Sequence, residues 1–348
     1  MRVFVATPYP AGSATGVGAF VRLHRDHLLR DGHESLLVEP RGDEPAVFAN
    51  LFLAVRSTWL LIRNRRRVDI VHGNQLHLQS LLIGLAARLL GKGLIVTVHG
   101  RSPRPKGLRG LAFDAIEWWT LRIPHEVVFV ASSLCGAFGG RGIVIPNGVP
   151  VDAIRALRPA RDAVRVELGL RDAFVILYVG RVTVDKGIPV LLEAFDAAKR
   201  ASASPLRLVL VGPVDADMRG LVASRSNGVV SLGVRADVWR LLAAGDLFVL
   251  PSTREGLPLS LLEAMASGLP AIASRVGDIP RAVRQGSTGM LVTPGDVAEL
   301  THAIKKCAGD PDLRRAMGRE AADLMARDFE FGKVVDAYVE LYAKIQSW

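Results

Sequence analysis

Short runs of apolar residues recur along the 348-residue chain and alternate with longer stretches of helical character. Each run is apolar at nearly every position, which is typical of a parallel strand covered by helices on both faces. The runs are residues 3–6, 35–38, 69–72, 94–98, 126–131 and 142–145, then 173–180, 206–212, 229–233, 246–250, 270–274 and 289–292. This alternation, repeated in each half, predicts an α/β protein with two doubly wound Rossmann-like domains.

Turn-forming residues mark the predicted boundary between the two domains. Pro146, Asn147, Gly148 and Pro150 crowd into the segment 145–154. We therefore expect a first domain over residues 1–150 and a second domain from residue 151. Because doubly wound sheets bind ligands at the carboxyl ends of their strands, we expect functional residues in the loops that follow the strands, facing a cleft between the domains.

The formal net charge of +10 falls mostly in the first domain. Residues 1–150 contain 18 Lys or Arg and 10 Asp or Glu, whereas residues 151–348 contain 26 and 24. A basic segment, 63–67, follows an apolar stretch, and a second spans 101–110; both favour an anionic membrane surface as a partner. Ordinary solvated arginines are an equal alternative. No nucleic-acid partner is predicted, because aromatic residues make up only 6% and no recognition pattern accompanies the charge.

Cysteine use and the start of the chain indicate the compartment. Cys135 and Cys307 form neither a disulfide framework nor a metal-binding spacing, which favours a reducing cytosol. The N-terminal apolar run is too short for a signal peptide, and charged residues and glycines interrupt the longer apolar stretches. We expect a cytoplasmic protein, peripheral at most on the inner face of the cell membrane.

Two features in the first domain follow strands. Gly16 and Gly18 open a predicted helix, yet the dinucleotide fingerprint GxGxxG is incomplete because Val21 takes its last position. A nicotinamide oxidoreductase is therefore disfavoured, and a glycine-lined loop over the cleft is the preferred interpretation. His99 follows the strand 94–98 and can donate a hydrogen bond to a substrate. A satisfied loop histidine is the alternative.

In the second domain two cations follow the strand 173–180. Arg181 comes directly after it, and Lys186 stands before a predicted helix that begins near residue 188. Two cations beside a helix N-terminus make an anion site suited to a diphosphate. A solvated surface pair is the alternative.

Two glutamates stand seven residues apart around the next candidate helix, in PSTREGLPLSLLEAMASGLPAIAS (251–274). Glu255 lies in the loop, Pro258 suits the first turn, and Glu263 lies on the helix. The backbone N–H groups of Leu259 and Ser260 are available to a phosphate. The carboxylates can accept hydrogen bonds from the hydroxyls of a sugar and a ribose, although pairing of Glu263 with an arginine is an alternative.

Taken together, these segments resemble the retaining glycosyltransferases of family 4, which have the two-domain GT-B fold. The resemblance covers nearly the whole chain, and its strongest part combines the Glu-x7-Glu spacing with GR-x4-KG. It rests on GAFVRLHRDHLLRDGHE, VHGNQLH, TVHG, VIPNGV, YVGRVTVDKG and EGLPLSLLEAMASGLPAIASRVGDIPRAV. It also implies that a last helix, about 330–348, packs back on the first, acceptor-side domain, which leaves 151–329 as the domain that binds the nucleotide sugar.

The resemblance implies a catalytic set. Arg181 and Lys186 match the residues that hold the donor diphosphate, and Glu255 matches a carboxylate beside the donor sugar. His99 corresponds to a histidine near the reacting sugar, and Gly16 to a glycine of the loop over the donor.

It also implies contacts with the nucleotide. Glu263 matches the residue that binds the ribose, and Leu259 and Ser260 match helix-start amides at the phosphates. Backbone near Gly233 and Val234 is expected to contact the base.

The implied reaction is metal-independent, retaining transfer of a hexosyl group from a UDP- or GDP-sugar, with no cofactor, to an acceptor hydroxyl. The expected acceptor is a lipid-linked glycan, a glycolipid or a cell-surface polysaccharide precursor. Thr15 replaces a usual glycine, and Leu257-Pro258 replaces the commoner Phe-Gly, so the donor sugar is not specified. A GT-B-shaped sugar-nucleotide epimerase and a natural-product glycosyltransferase are the alternatives.

Overall fold

The computed structural model describes residues 1–10, 16–40, 49–101, 104–225 and 227–346. The chain divides into two compact units, one of residues 1–147 with 332–348 and one of residues 148–331. The sequence places the division at residue 150 and near residue 330. No helix in the described ranges combines the length and the apolar character needed to cross a membrane.

The first unit contains a six-stranded parallel sheet in the order β2-β1-β3-β4-β5-β6. Its strands are β1 (Arg2–Ala6), β2 (Glu34–Val38), β3 (Ile70–Asn74), β4 (Gly93–Val98), β5 (Glu126–Phe129) and β6 (Ile143–Val144). Its helices are α1 (Gly16–Arg30), α2 (Ala49–Arg63), α3 (Leu78–Leu89), α4 (Leu108–Thr120) and α5 (Ser132–Ala137). β1 lies inside the sheet, so Phe4 pairs with Leu36 on one side and Val71 on the other.

The strand order decides which helices share a face of this sheet. The connection from β1 to β2 runs one way along the sheet, and the connections leading to β3, β4 and β5 run the other way. Because such crossovers are right-handed, α1 covers one face and α2, α3 and α4 cover the opposite face. α3 accordingly packs against both α2 and α4. The core on this face joins Leu61 of α2 and Ile83 of α3 to Phe4, Val71 and Leu94 of the sheet.

The last helix, α15 (Phe331–Gln346), belongs almost entirely to the first unit. The side chains of Tyr338 and Tyr342 are fully buried. Tyr342 Oη lies 2.9 Å from His24 Nε2 on α1 and 2.6 Å from His72 Nδ1 on β3. The other nitrogen of His72 lies 2.7 Å from Thr97 Oγ1 on β4. A buried chain of polar groups therefore ties α15 to α1 and to the middle of the sheet.

The second unit repeats the architecture, with strands in the order β12-β11-β10-β7-β8-β9, all parallel. Its strands are β7 (Phe174–Val179), β8 (Leu206–Val211), β9 (Val229–Ser231), β10 (Leu247–Leu250), β11 (Ala271–Ser274) and β12 (Gly289–Val292). Its helices are α6 (Val151–Arg155), α7 (Arg161–Glu167), α8 (Ile188–Arg200), α9 (Arg219–Ala223), α10 (Val238–Leu242), α11 (Leu259–Ala266), α12 (Ile279–Ala282), α13 (Val297–Gly309) and α14 (Pro311–Asp328). The predicted fold class and all twelve predicted strands are confirmed.

Candidate active site

Eight of the ten predicted site residues lie in the second unit, and Gly16 and His99 lie in the first. In the second unit the strand ends are brought together by backbone contacts that only glycine permits. A Cβ at Gly212, after β8, would lie 2.0 Å from the carbonyl oxygen of Gly180, after β7. The N–H of Gly212 donates to the carbonyl of Gly233, after β9, at 2.8 Å. The loops after β7, β8 and β9 therefore meet at one edge of the sheet.

Arg181 begins the loop after β7. The phenolic hydroxyl of Tyr178 donates to the Arg181 carbonyl at 2.6 Å, which fixes the backbone of the loop. The guanidinium is more than half exposed, and its nearest anionic neighbour is Asp185, at 4.0 Å. A guanidinium held this loosely can form a two-pronged hydrogen bond with a phosphate.

Lys186 is held beside the end of β10 by the residues on each side of it. Gly187 has a φ of 71°, and a Cβ there would lie 2.0 Å from the carbonyl oxygen of Pro251. The carbonyl of Asp185 accepts hydrogen bonds from the backbone N–H and the hydroxyl of Thr253, both at 2.9 Å. The loops after the neighbouring strands β7 and β10 are therefore fastened together.

Lys186 and Glu255 form an ion pair in this corner. The Nζ of Lys186 lies 2.6 Å from Oε1 of Glu255, and the hydroxyl of Ser252 donates to the same oxygen at 2.8 Å. Only 21% of the lysine side chain and 10% of the glutamate side chain are exposed. The structure thus joins a predicted phosphate ligand to a predicted sugar ligand, a contact that neither sequence motif indicates.

α11 begins one residue later than the sequence predicts. Pro258 has extended backbone angles and is the N-cap, whereas the prediction placed it in the first turn. Its fixed φ suits both positions, and its side chain has no hydrogen-bonding group for capping. No described side chain caps this helix, so the N–H groups of Leu259 and Ser260 remain available to an anion.

Glu263 lies on α11 among buried apolar neighbours, including Leu262 and Met265. The indole N–H of Trp239 donates to its Oε1 at 2.8 Å, which offsets part of the cost of holding a carboxylate there. Trp239 is a partner of Glu263 that the sequence does not indicate. A single tryptophan in the short segment DVWRLL carries little signal for such a contact.

A second overlooked contact supports Glu255 from behind. A Cβ at Gly277, where φ is 53°, would lie 2.1 Å from the carbonyl oxygen of Glu255. The N–H of Asp278 donates to the carbonyl of Gly256 at 2.9 Å. The segment after β11 therefore holds the backbone on which Glu255 is presented.

Val234, next to Gly233, exposes 60% of its surface.

In the first unit His99 has a defined orientation. Its Nε2 lies 3.0 Å from Oδ1 of Asn74, while Nδ2 of Asn74 donates to the carbonyl of Ala6 at 3.1 Å. Because the amide nitrogen is committed to Ala6, the network assigns the His99 proton to Nε2. Burial, together with the smaller effect of the nearby His24, lowers the pKa of His99 to about 3. The imidazole is therefore neutral at physiological pH. Because its one N–H is engaged by Asn74, His99 offers a substrate an acceptor at Nδ1, and not the hydrogen-bond donor that the sequence predicts.

Gln75 holds the backbone of His99. Its side-chain oxygen accepts the His99 N–H at 3.2 Å. Gln75 has a φ of 71°, the one non-glycine residue with positive φ in the described ranges. Such strain concentrates at functional sites.

Gly16 is the exposed first residue of α1, and Thr15 lies outside the described residues.

Comparison with known proteins assigns both halves of the chain. Residues 14–153 match the family described as Glycosyltransferase Family 4, and residues 173–310 match Glycosyl transferases group 1. The alpha-D-kanosaminyltransferase of Streptomyces kanamyceticus is 27% identical over 82% of this chain and 81% of its own length. The UDP-Gal:alpha-D-GlcNAc-diphosphoundecaprenol alpha-1,3-galactosyltransferase of Escherichia coli is 27% identical over 80% of this chain and 76% of its own.

Solved structures agree on the fold. Anabaena HepE, crystallised with UDP-glucose, superposes with a TM-score of 0.81 at 20% identity, over 99% of this chain and all of that one. The sequence motifs, the two parallel sheets and the relatives lead to the same assignment. The chain is a glycosyltransferase similar to family 4, a hexosyltransferase with the GT-B fold.

Proposed function

We propose that this enzyme is a retaining, metal-independent glycosyltransferase whose donor is a UDP- or GDP-sugar. The observation that carries the proposal is the corner of the second unit where Arg181, the Lys186–Glu255 pair and the start of α11 lie on adjoining loops. Two cations and free helix-start N–H groups match the charge of a diphosphate, and two carboxylates match hydroxyl-bearing rings.

The proposed chemistry is stabilisation of a leaving group. Departure of the nucleoside diphosphate develops negative charge on its phosphates and positive charge on the sugar ring. Arg181, Lys186 and the amides at Leu259 and Ser260 stabilise the phosphates, a preorganised contribution of several kcal/mol. These groups replace the charge that a metal ion would supply. Among the described residues, the one group of three potential metal ligands is His27, Asp31 and Asp336, in the first unit.

The carboxylates and the histidine have separate proposed roles. Glu263 binds the ribose, and the indole N–H of Trp239 holds Oε1 of the same carboxylate. Glu255, already bonded to Lys186 and Ser252, accepts hydrogen bonds from the donor sugar and does not act as a nucleophile. Retention then follows from attack by the acceptor hydroxyl on the face that the diphosphate leaves. His99 presents the free Nδ1 lone pair of its neutral ring to a hydroxyl of the reacting sugar.

The proposed acceptor is lipid-linked. The Escherichia coli relative is named for a diphosphoundecaprenol-linked acceptor, and the first unit has the cationic and apolar surface that a peripheral membrane enzyme requires. The proposed location is the cytoplasm, at the inner face of the cell membrane.

The test is release of nucleoside diphosphate from a panel of UDP- and GDP-sugars, with and without polyprenyl-diphosphate-linked sugars as acceptors. We expect one donor to release its nucleotide only with an acceptor, and the product to keep the anomeric configuration by proton NMR. Chelation with EDTA should change the rate by less than about twofold. Conversion of the nucleotide sugar without acceptor or release would instead identify an epimerase, and an inverted product would contradict retention.

A further inference from the structure

Exposed apolar side chains are concentrated on one side of the first unit. In the described part of the chain, fifteen large hydrophobic residues are exposed, and ten of them lie on the three consecutive helices α2, α3 and α4. Those ten are Leu51, Phe52, Val55, Trp59, Ile62, Leu85, Leu89, Leu111, Trp118 and Trp119. Since these helices cover the same face of the sheet, the ten residues belong to one surface, here called the α2–α4 face.

α2 shows most clearly that this exposure is not needed for folding. Leu53, Ala54 and Leu61 already bury one side of the helix in the core. A second stripe, Phe52, Val55, Trp59 and Ile62, recurs every three or four residues on the opposite side and is about half exposed. A surface helix normally has polar residues there. A contiguous exposed apolar surface of this kind marks an interaction site.

The same part of the chain carries most of the positive charge. Residues 49–122 contain twelve Lys or Arg and three Asp or Glu, a net charge of +9 against +10 for the whole chain. The exposed run Arg65, Arg66 and Arg67 directly follows α2. Arginines also lie over exposed indoles, Arg63 at 5.1 Å from the ring of Trp59 and Arg122 at 3.8 Å from that of Trp118. Aromatic, aliphatic and cationic groups are therefore interleaved.

We propose that the α2–α4 face docks on an anionic phospholipid leaflet, with its apolar side chains inserted among the acyl chains and its arginines on the lipid phosphates. At about 1.5 Å per residue, the 15 residues of α2 span roughly 22 Å, too short to cross the apolar core of about 30 Å. The helix therefore lies in the plane of the interface, the arrangement typical of cationic amphipathic helices.

Charge decides between this occupant and others. A second copy of the chain in a two-fold dimer would place this face, and the segment 49–122 with its net charge of +9, against the same face of its partner. Nucleic acid would match the charge but would leave the aliphatic residues of α2 and α3 without a partner. An anionic leaflet matches both the charge and the apolar side chains. The inference rests on the proposed function, because it places the enzyme beside a lipid-linked acceptor. Docking itself is measured without turnover, so the two can fail separately.

The experiment is flotation of the full chain with vesicles of phosphatidylcholine, alone or mixed equally with phosphatidylglycerol. The apolar variant is F52S/W59S, and its control is L29S, an exposed leucine on α1 at the opposite face of the same sheet. The charge variant is R65Q/R66Q/R67Q, and its control changes three exposed arginines of the second unit, R171Q/R200Q/R319Q. Circular dichroism and melting confirm that each variant is folded.

We expect wild type and both controls to float with the anionic vesicles and not with phosphatidylcholine alone. The charge variant should bind about 100-fold more weakly, from roughly fivefold per arginine. The apolar variant should bind the anionic vesicles at least about tenfold more weakly, and its remaining binding should still depend on salt. Equal binding by wild type and both variants would overturn the proposal, as would wild-type self-association that F52S/W59S abolishes. UDP and GDP binding by the same variants should be unchanged, so failure of the donor assignment is visible separately.

Discussion

The contact between Lys186 and Glu255 links two motifs that lie 69 residues apart in the sequence. Each residue could be predicted as a donor ligand from its own motif, because cations before a helix and carboxylates beside one have a recognisable pattern. Their pairing could not be predicted from the sequence, because it depends on the position of Gly187 against the carbonyl of Pro251. Under the proposed assignment, Glu255 competes with the donor diphosphate for the same ammonium group.

Glu255→Gln is expected to separate nucleotide binding from turnover. The amide keeps the size of the side chain but removes the charge that holds Lys186, so UDP or GDP should bind as well or a few times more tightly while transfer falls. Lys186→Met should weaken the same nucleotide by about tenfold to 100-fold, since charge-assisted hydrogen bonds contribute roughly 1.5–3 kcal/mol. Isothermal titration calorimetry measures both. Weaker nucleotide binding by Glu255→Gln would contradict the competition.

Asn74 is expected to act as a positioning residue through the proton on His99. Asn74→Asp places a carboxylate next to the imidazole and should raise the pKa of His99 from about 3 toward the neutral range. Activity that needs the neutral ring should then decline as the pH falls through the new pKa, whereas the wild-type profile stays flat there. Nitrogen chemical shifts of His99 would show the protonation directly. A variant with lower activity but an unchanged pH profile would show that Asn74 has only a structural role.

At the scale of elements, the boundaries followed from the sequence where the local chemistry is explicit. Asp310 accepts a hydrogen bond from the N–H of Leu313 at 2.9 Å and starts α14, the arrangement expected of an aspartate directly before a helix. The strands followed from apolar runs that only a sheet covered on both faces can bury. The loops between them were less predictable, because close approaches of glycine backbone at Gly187, Gly212 and Gly277 leave no periodic pattern in the sequence.

Gly187→Ala tests how tightly the loops after β7 and β10 are joined. Gly169→Ala is the matched control, because Gly169 has a similar φ of 65° but no atom within 4 Å of the added Cβ. The control should cost about 1 kcal/mol for the left-handed backbone alone. Gly187→Ala should cost at least about 2 kcal/mol more, by urea unfolding, and should also weaken nucleotide binding. Equal costs for the two variants would show that the loop yields without effect.

At the scale of the whole chain, the resemblance predicts that the last helix packs on the first domain. It does not predict the buried hydrogen-bonded side chains that attach the helix there. His24 and His72 are surrounded by Tyr338, Tyr342 and Thr97, with His27 and His99 nearby. Burial lowers the pKa of His72 to about 3 and that of His24 well below its usual value. Nothing in the sequence separates these histidines from exposed ones, since their burial depends on α15 returning across the chain.

These histidines predict the direction of the pH dependence of stability. Below about pH 6.5 these two histidines are protonated in the unfolded chain but stay neutral in the folded protein. Their contribution to the free energy of unfolding therefore decreases as the pH is lowered from about 6.5 to 3, and it is constant above that range. His24 and His72 should each lower the free energy of unfolding by roughly 2 kcal/mol between pH 7 and pH 5. His72→Gln should reduce this slope, whatever its effect at pH 7. Urea unfolding at the two pH values measures it, and an unchanged slope would refute the assignment.

The central claim is that the second unit binds a nucleoside diphosphate through Arg181. The most direct measurement is the thermal shift produced by UDP, GDP, ADP and NAD at matched concentrations on wild type, Arg181→Ala and Arg171→Ala. Arg171 is an exposed arginine just before β7, at the opposite end of that strand from Arg181. At 100 times its dissociation constant a ligand adds about 2.7 kcal/mol of stability. We predict that UDP or GDP stabilises wild type and Arg171→Ala but not Arg181→Ala; stabilisation by NAD alone, or an equal shift in all three proteins, would contradict the account.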